Sequence, residues 1–216
     1  MSGLVLHGYW RSGTSYRVRL ALALKGLDYV HAGVDLRGGE QSAVRYRALS
    51  PQGLVPSLET PHGVLVQSPA ILEWLDEVYA DPPLLPTDPF ARAQVRAMAM
   101  VIGCDIHPLN NLRVLKALRA RGQDQDAVNA WAAQWCADGF AALESLIERY
   151  DAGGPFAAGE APGFVECYLL PQLYSARRFD VALAPYARLL AIEAACDTVD
   201  AMAAAHPDRQ PDADPA

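Results

Sequence analysis

The sequence predicts an α/β unit built on a mixed βαβαββα sheet, followed by an all-α unit. Three observations carry that reading. Residues 1–80 alternate short apolar runs with amphipathic ones, a prolyl stretch follows at 81–89, and every later segment is helical in pattern. The order β-α-β-α-β-β-α joins a parallel crossover to an antiparallel hairpin, and one mixed sheet flanked by helices accommodates both.

The elements follow in order. Residues 3–7 read as a strand through Leu4, Val5 and Leu6, and about 16–26 as a helix through Val18, Leu20, Ala21, Leu22 and Leu24. A second strand is expected at 29–34 and a short helix at 40–48. Val55-Pro56-Ser57-Leu58 and Val64-Leu65-Val66 form two more strands, joined by the turn residues Thr60-Pro61-His62-Gly63. Ile71, Leu72, Trp74, Leu75 and Val78 mark a helix at 68–79. Pro82, Pro83, Pro86 and Pro89 make 81–89 a stiff linker. The helical unit, 90–205, contains runs at 91–120, 124–150, 164–179 and 183–204, with Gly153-Gly154-Pro155 separating the second from the third. The polar, prolyl stretch 206–216 is expected to be disordered.

Composition narrows the function classes. The 216 residues carry a formal net charge of −7, which argues against a general role on nucleic-acid backbones. No run is long and apolar enough to suggest a membrane span, and no basic segment leads into an apolar one, so no export is expected. The four cysteines, Cys104, Cys136, Cys167 and Cys196, show neither a CxxC nor a Cys/His spacing. They read as reduced, mostly buried thiols of a cytoplasmic protein without a metal.

Chemistry concentrates at Arg11-Ser12-Gly13-Thr14-Ser15, where a strand turns into a helix. Hydroxyls beside unpaired helical N–H groups suit an anion, and a thiolate is a fitting one. Val55-Pro56 can be a cis bond that turns backbone groups toward a ligand, or a trans proline opening a strand. Ser68 reads as a helix cap with Pro69 at the first helical position. The same N-terminus, with the Gln67 amide, suits a carboxylate. Arg11, Arg113 and Arg178 form a second constellation, because paired carboxylates favour the planar guanidinium. Arg17, Arg19, Arg92 and Arg96 are expected to be solvated. His107, Asn110 and Asn111 fall on one polar face of a helix that Pro108 should kink, and His107 reads equally as a general base and as a structural residue.

The segments 11–19, 51–56 and 67–71 resemble a zeta-class glutathione transferase, and the segment 103–113 narrows the likeness to the maleylacetoacetate and maleylpyruvate isomerases. The resemblance covers nearly the whole chain and implies a thioredoxin-like first unit. It implies that glutathione is held by Ser12, Gly13, Thr14, the Val55 backbone, Gln67 and Ser68, with Gln41. Asp105, His107 and Asn111 would contribute, across a homodimer interface. Catalysis would fall to Arg11 and to a hydroxyl of Ser12, Thr14 or Ser15, with the donor left open. Arg11, Arg113 and Arg178 would hold a small maleyl dicarboxylate during glutathione-dependent cis–trans isomerisation. Zeta members commonly carry cysteine where this chain has Thr14, and that difference points toward the maleylpyruvate isomerases. A general transferase acting on small electrophilic acids and a non-catalytic binding protein of the same fold are the competing readings. Gly163-Phe164-Val165-Glu166 stands where the family carries Ser/Thr-x-x-Asp, so a weakened helix cap is expected there.

Overall fold

The computed structural model describes residues 3–214. The chain forms two units, one made of residues 1–84 with 199–216 and the other of 85–198.

The first unit contains β1 (Val5–Gly8), α1 (Gly13–Leu24), β2 (Val30–Gly33), a 3₁₀ turn at Glu40–Ser42, α2 (Val44–Arg47), β3 (Ser57–Thr60), β4 (Gly63–Val66) and α3 (Ser68–Val78). The sheet order is β2-β1-β3-β4. β1 runs parallel to β2, while β3 is antiparallel to both β1 and β4. This is the mixed sheet expected from the sequence. Val55 and Pro56 lie just ahead of β3 rather than inside it, and the bond between them is cis. Leu4, Leu6, Val18, Leu20, Leu22, Leu58, Ile71, Leu72 and Leu75 are all essentially inaccessible and form the core between sheet and helices.

α1 is covered on all sides, with an unbroken buried run from Ser15 to Leu22. That environment overturns the expectation that Arg17 and Arg19 are solvated. Both are buried, and Arg19 donates from Nε to the Ala205 carbonyl (3.0 Å) and from Nη2 to the Trp10 carbonyl (2.9 Å). A third buried cation finishes α3. Lys25 Nζ donates to Asp76 Oδ1 (3.0 Å) and to the carbonyls of Tyr79 (2.6 Å) and Pro82 (2.8 Å). Asp76 Oδ1 also accepts the Leu84 N–H at 2.7 Å. A buried charge requires such a set of partners, and it fixes the chain from 79 to 84, where a plain linker was expected to begin.

The segment 206–214 corrects the expectation of disorder. α9 (Asp200–Ala204) packs on α1, and a 3₁₀ turn follows at Pro207–Arg209. Ala213 rests on the apolar cluster of Tyr9, Trp10, Val34, Tyr46 and Val55. Composition alone misleads here because a few well-placed polar contacts, rather than a run of apolar residues, hold the segment.

The second unit is helical: α4 (Pro89–Met100), a π-helical turn at Val101–Ile106, α5 (Leu112–Ala120), α6 (Gln125–Tyr150), α7 (Phe164–Arg177) and α8 (Ala187–Cys196). α7 packs against α4, α6 and α8 and is buried along most of its length. The single run expected at 91–120 is therefore interrupted, because Pro108 has no N–H to continue the ladder. The π turn presses on α6 at Gly139, where any Cβ would overlap Ile106. The run expected at 183–204 also divides, into α8 of this unit and α9 of the first. Cys136, Cys167 and Cys196 are buried, and Cys104 is exposed.

Gly163 stands at the N-cap of α7, and the buried Glu166 carboxylate accepts the N–H groups of Gly163 (2.7 Å) and Ala157 (2.8 Å). The missing cap hydroxyl is thus half-compensated by the reciprocal bond of a capping box. Burial pushes the Glu166 carboxyl above its ordinary range, and the two N–H bonds oppose that shift. Glu166→Ala leaves two buried donors without partners. It is expected to lower stability by about 3 kcal/mol, read from denaturant unfolding.

Candidate active site

In the first unit the site grows from the turn between β1 and α1. Ser12 is the N-cap of α1, with its hydroxyl accepting the Ser15 N–H at 3.3 Å. Its own N–H returns to the Tyr9 carbonyl at 3.0 Å, which closes the turn. Thr14 Oγ1 donates to the Val55 carbonyl at 2.9 Å and lies 2.9 Å from Ser12 Oγ. A hydroxyl has one proton, so with Thr14 donating to Val55 the shared contact is a bond from Ser12 to Thr14. The result is a directed relay: Ser12 hydroxyl, Thr14 hydroxyl, Val55 carbonyl.

Ser15 does not belong to this set. Its side chain turns inward, is fully buried, and accepts the Tyr9 N–H at 3.3 Å. The expectation that it activates a thiol is therefore corrected: as the third residue of α1 it faces the sheet beneath Gly8. Ser12 and Thr14 sit half-exposed beside it. Arg11 is also half-buried, its guanidinium carbon 5.2 Å from the centre of a Trp10 ring.

The loop that presents Val55 is held from behind. Tyr46 Oη and Ser50 Oγ both donate to the Leu54 carbonyl at 2.9 Å. Burial pushes the Tyr46 phenol above its ordinary range, so it remains a neutral donor. Gly53, at φ 63°, lies against the Gln41 backbone, where a side chain would collide. Gln67 adopts φ 71° at the N-cap of α3, and its amide meets the Gln52 side chain. No side chain caps α3, so the cap expected of Ser68 is displaced by one residue. Ser68 is the first helical residue, is buried, and accepts from Arg17 Nη1 at 3.4 Å. The uncapped N–H groups at this end suit a carboxylate. Ser12, Gly13, Thr14, Gln41, Val55, Gln67 and Ser68 thus fall on connected segments of one unit.

Sequence reasoning missed Tyr46, Ser50 and Arg17 in this assembly. The signal for Arg17 was present: two arginines inside a helix apolar on every side cannot all reach solvent.

The second unit holds Asp105, His107, Asn111, Arg113 and Arg178. Asp105 is exposed on the π turn, and His107 follows it, half-buried. Asn110 and Asn111 do not share its face. Asn110 is buried and donates to Cys136 Sγ at 3.1 Å, while Asn111 caps α5 by accepting the Arg113 N–H at 3.1 Å. The turn that Pro108 imposes rotates the three side chains apart. Arg178 is exposed at the end of α7, whereas Arg177 makes two bonds to the Glu193 carboxylate, at 2.7 and 2.6 Å.

Two of the protein's own thiols are poor sources of thiolate. Burial pushes the Cys136 thiol up to about 11, against the opposing bonds from Gln172 and Asn110, and it raises Cys196 as well. Among the described residues no group of three or more His, Cys, Asp or Glu could hold a metal ion, and no helix is long and apolar enough to cross a membrane.

Residues 6–83 match the family model for the glutathione S-transferase N-terminal domain. A maleylpyruvate isomerase from a Ralstonia species is 49% identical over 208 residues, covering 96% of this chain and 98% of that protein. The maleylacetoacetate isomerase of Pseudomonas aeruginosa is 48% identical, covering 96% and 97%. The holo structure of a maleylpyruvate isomerase, described as a bacterial zeta-class glutathione S-transferase, superposes with a TM-score of 0.95 at 48% identity, over 97% of this chain and all of the other. A maleylacetoacetate isomerase from Anaeromyxobacter dehalogenans, with glutathione in its active site, gives 0.88 at 46% identity over 98% of each chain. Near-complete coverage at such identity, on the fold and turn just described, places the chain in the zeta-class glutathione S-transferases, among the maleylpyruvate and maleylacetoacetate isomerases.

Proposed function

We propose that the protein is a glutathione-dependent isomerase that converts a maleyl dicarboxylate, maleylpyruvate or maleylacetoacetate, to its fumaryl isomer. The observation that carries this is the Ser12–Thr14–Val55 relay at the N-terminus of α1, in a chain whose close relatives bear those names. Glutathione fits the segments available: Val55 and Gln67 present backbone, the open end of α3 takes a carboxylate, and α1 starts beside the sulfur. When bound, glutathione would supply a sulfur nucleophile for reversible addition to the alkene, the chemistry that cis–trans isomerisation without net consumption of glutathione needs.

The chain's residues prepare that chemistry. Thr14 keeps its proton on the Val55 carbonyl, so Ser12 is the hydroxyl able to donate to sulfur, by exchanging its bond to Thr14 for one to the thiolate. Its hydrogen bond and the α1 N-terminus both favour thiolate over thiol. The family resemblance assigns Arg11, Arg113 and Arg178 to the substrate carboxylates, for which a planar guanidinium is suited. The resemblance assigns Asp105 and His107 to glutathione across a homodimer interface, and Asn111 serves first as a cap. Four free cysteines support a reducing, cytoplasmic setting, and membership of the zeta class supports a homodimer.

An ultraviolet assay with each maleyl acid, run with and without glutathione, tests the activity. Turnover is expected only with glutathione, and none with either acid overturns the reading. Ser12→Ala is expected to lower kcat/KM about 100-fold and move the acid limb of the pH–rate profile to higher pH, because the thiolate loses a donor. Ser15→Ala should change kcat/KM less than about threefold in the same assay, since its hydroxyl faces the sheet. Arg11→Ala is expected to reduce turnover of the dicarboxylate about tenfold while calorimetry shows glutathione affinity nearly unchanged.

A further inference from the structure

The C-terminal segment of the chain reaches the turn that carries Ser12. Asp212 Oδ2 accepts the Trp10 N–H at 3.0 Å, across 202 residues of sequence. On the other side of the same residue, Arg19 Nη2 donates to the Trp10 carbonyl at 2.9 Å and Arg19 Nε to the Ala205 carbonyl at 3.0 Å. Both backbone groups of Trp10 are therefore held, one by the segment directly and one through a buried guanidinium that the segment also engages. Trp10 stands two residues before Ser12, and the Tyr9 carbonyl beside it accepts the Ser12 N–H.

Asp212 is itself well anchored. Its Oδ1 lies 2.8 Å from His31 Nε2, and its Cβ approaches Gly33, where a side chain would just touch it. Ala213 packs on the cluster containing Trp10 and Val55. Gln210 Nε2 ties the segment together by donating to the carbonyls of Ala204 (3.1 Å) and His206 (2.9 Å). Farther along the segment, an exposed contact joins Arg37 Nη2 to Asp214 Oδ2 at 2.9 Å. A carboxylate accepting a backbone N–H is a strong, directional bond. Without that acceptor the Tyr9–Trp10 peptide loses one of the bonds that fix its plane, and the other, from the Ser12 N–H to the Tyr9 carbonyl, passes any shift to Ser12.

We propose that Asp212 is a positioning residue for the glutathione site, acting through the Trp10 peptide. It sets the β1–α1 turn from the far end of the chain without touching the reacting atoms. This rests on the glutathione reading of that turn.

The test compares Asp212→Ala, Asp212→Asn and Asp214→Ala in the full chain. Glutathione affinity is measured by calorimetry, and deuterium exchange is followed in a peptide spanning Trp10. Asp212→Ala is expected to weaken glutathione binding about tenfold and to speed exchange at Trp10. Asp212→Asn keeps an oxygen acceptor and should stay within about threefold of the parent, with Trp10 still protected. Asp214→Ala should match the parent in both measurements. If the alanine variant does not fold, Asp212→Ser supplies the same comparison. Parent-like affinity in folded Asp212→Ala or Asp212→Ser overturns the proposal, and so does an Asp212→Asn variant as impaired as they are. A parent protein without glutathione affinity overturns the glutathione reading together with it.

Discussion

The Thr14 hydroxyl on the Val55 carbonyl is the bond around which the first unit's site is arranged. It joins the start of α1 to the loop ahead of β3, two segments that the sheet alone would leave as separate turns. By spending the only proton of Thr14, it also decides the direction of the contact with Ser12. A cysteine at position 14 would place a larger, weaker donor at that junction. The threonine thus does more than fill the place of another nucleophile: it fixes the loop and leaves Ser12 as the adjustable hydroxyl.

Each unit also encloses polar groups that a purely apolar core would not contain. Arg19, Lys25, Asp76 and Glu166 are all enclosed, and each gathers backbone partners rather than standing in a simple ion pair. Such groups stabilise little on their own account, because desolvation offsets most of the attraction. Their effect is to make alternative arrangements costly, since any shift strands a charge or a donor. Glu166 shows the principle at a helix start that lacks the usual hydroxyl, and Lys25 shows it where α3 ends.

The mixed sheet, the hairpin and most helices of the second unit were legible in the sequence because they follow from period and turn chemistry. Leu4 to Leu6, the Thr60–Gly63 turn and the apolar stripe of α3 each announce their element. The place of Ser12 at a helix start was legible for the same reason, since it stands where a helix must begin. What escaped depends on tertiary surroundings. Ser15 looks like its neighbours until helical rotation turns it to the sheet, and Arg17 and Arg19 look solvent-bound until α1 is covered on both sides. Asn111 reads as a helix face until the π turn and Pro108 break the ladder and make it a cap. The segment 206–214 has the composition of a disordered tail, and only its individual contacts say otherwise.

The return of residues 199–214 to the first unit makes the second unit an insertion within the first. The ribosome therefore releases the sheet and α1 long before the chain that completes them. Residues 85–198 can gather around α7 as a contiguous stretch, while the first unit waits with Arg19 and the Trp10 peptide lacking their last acceptors. In the order of synthesis, the turn that carries Ser12 and Thr14 is finished last. An incompletely translated chain then carries a sheet and a helical unit but an unfinished site.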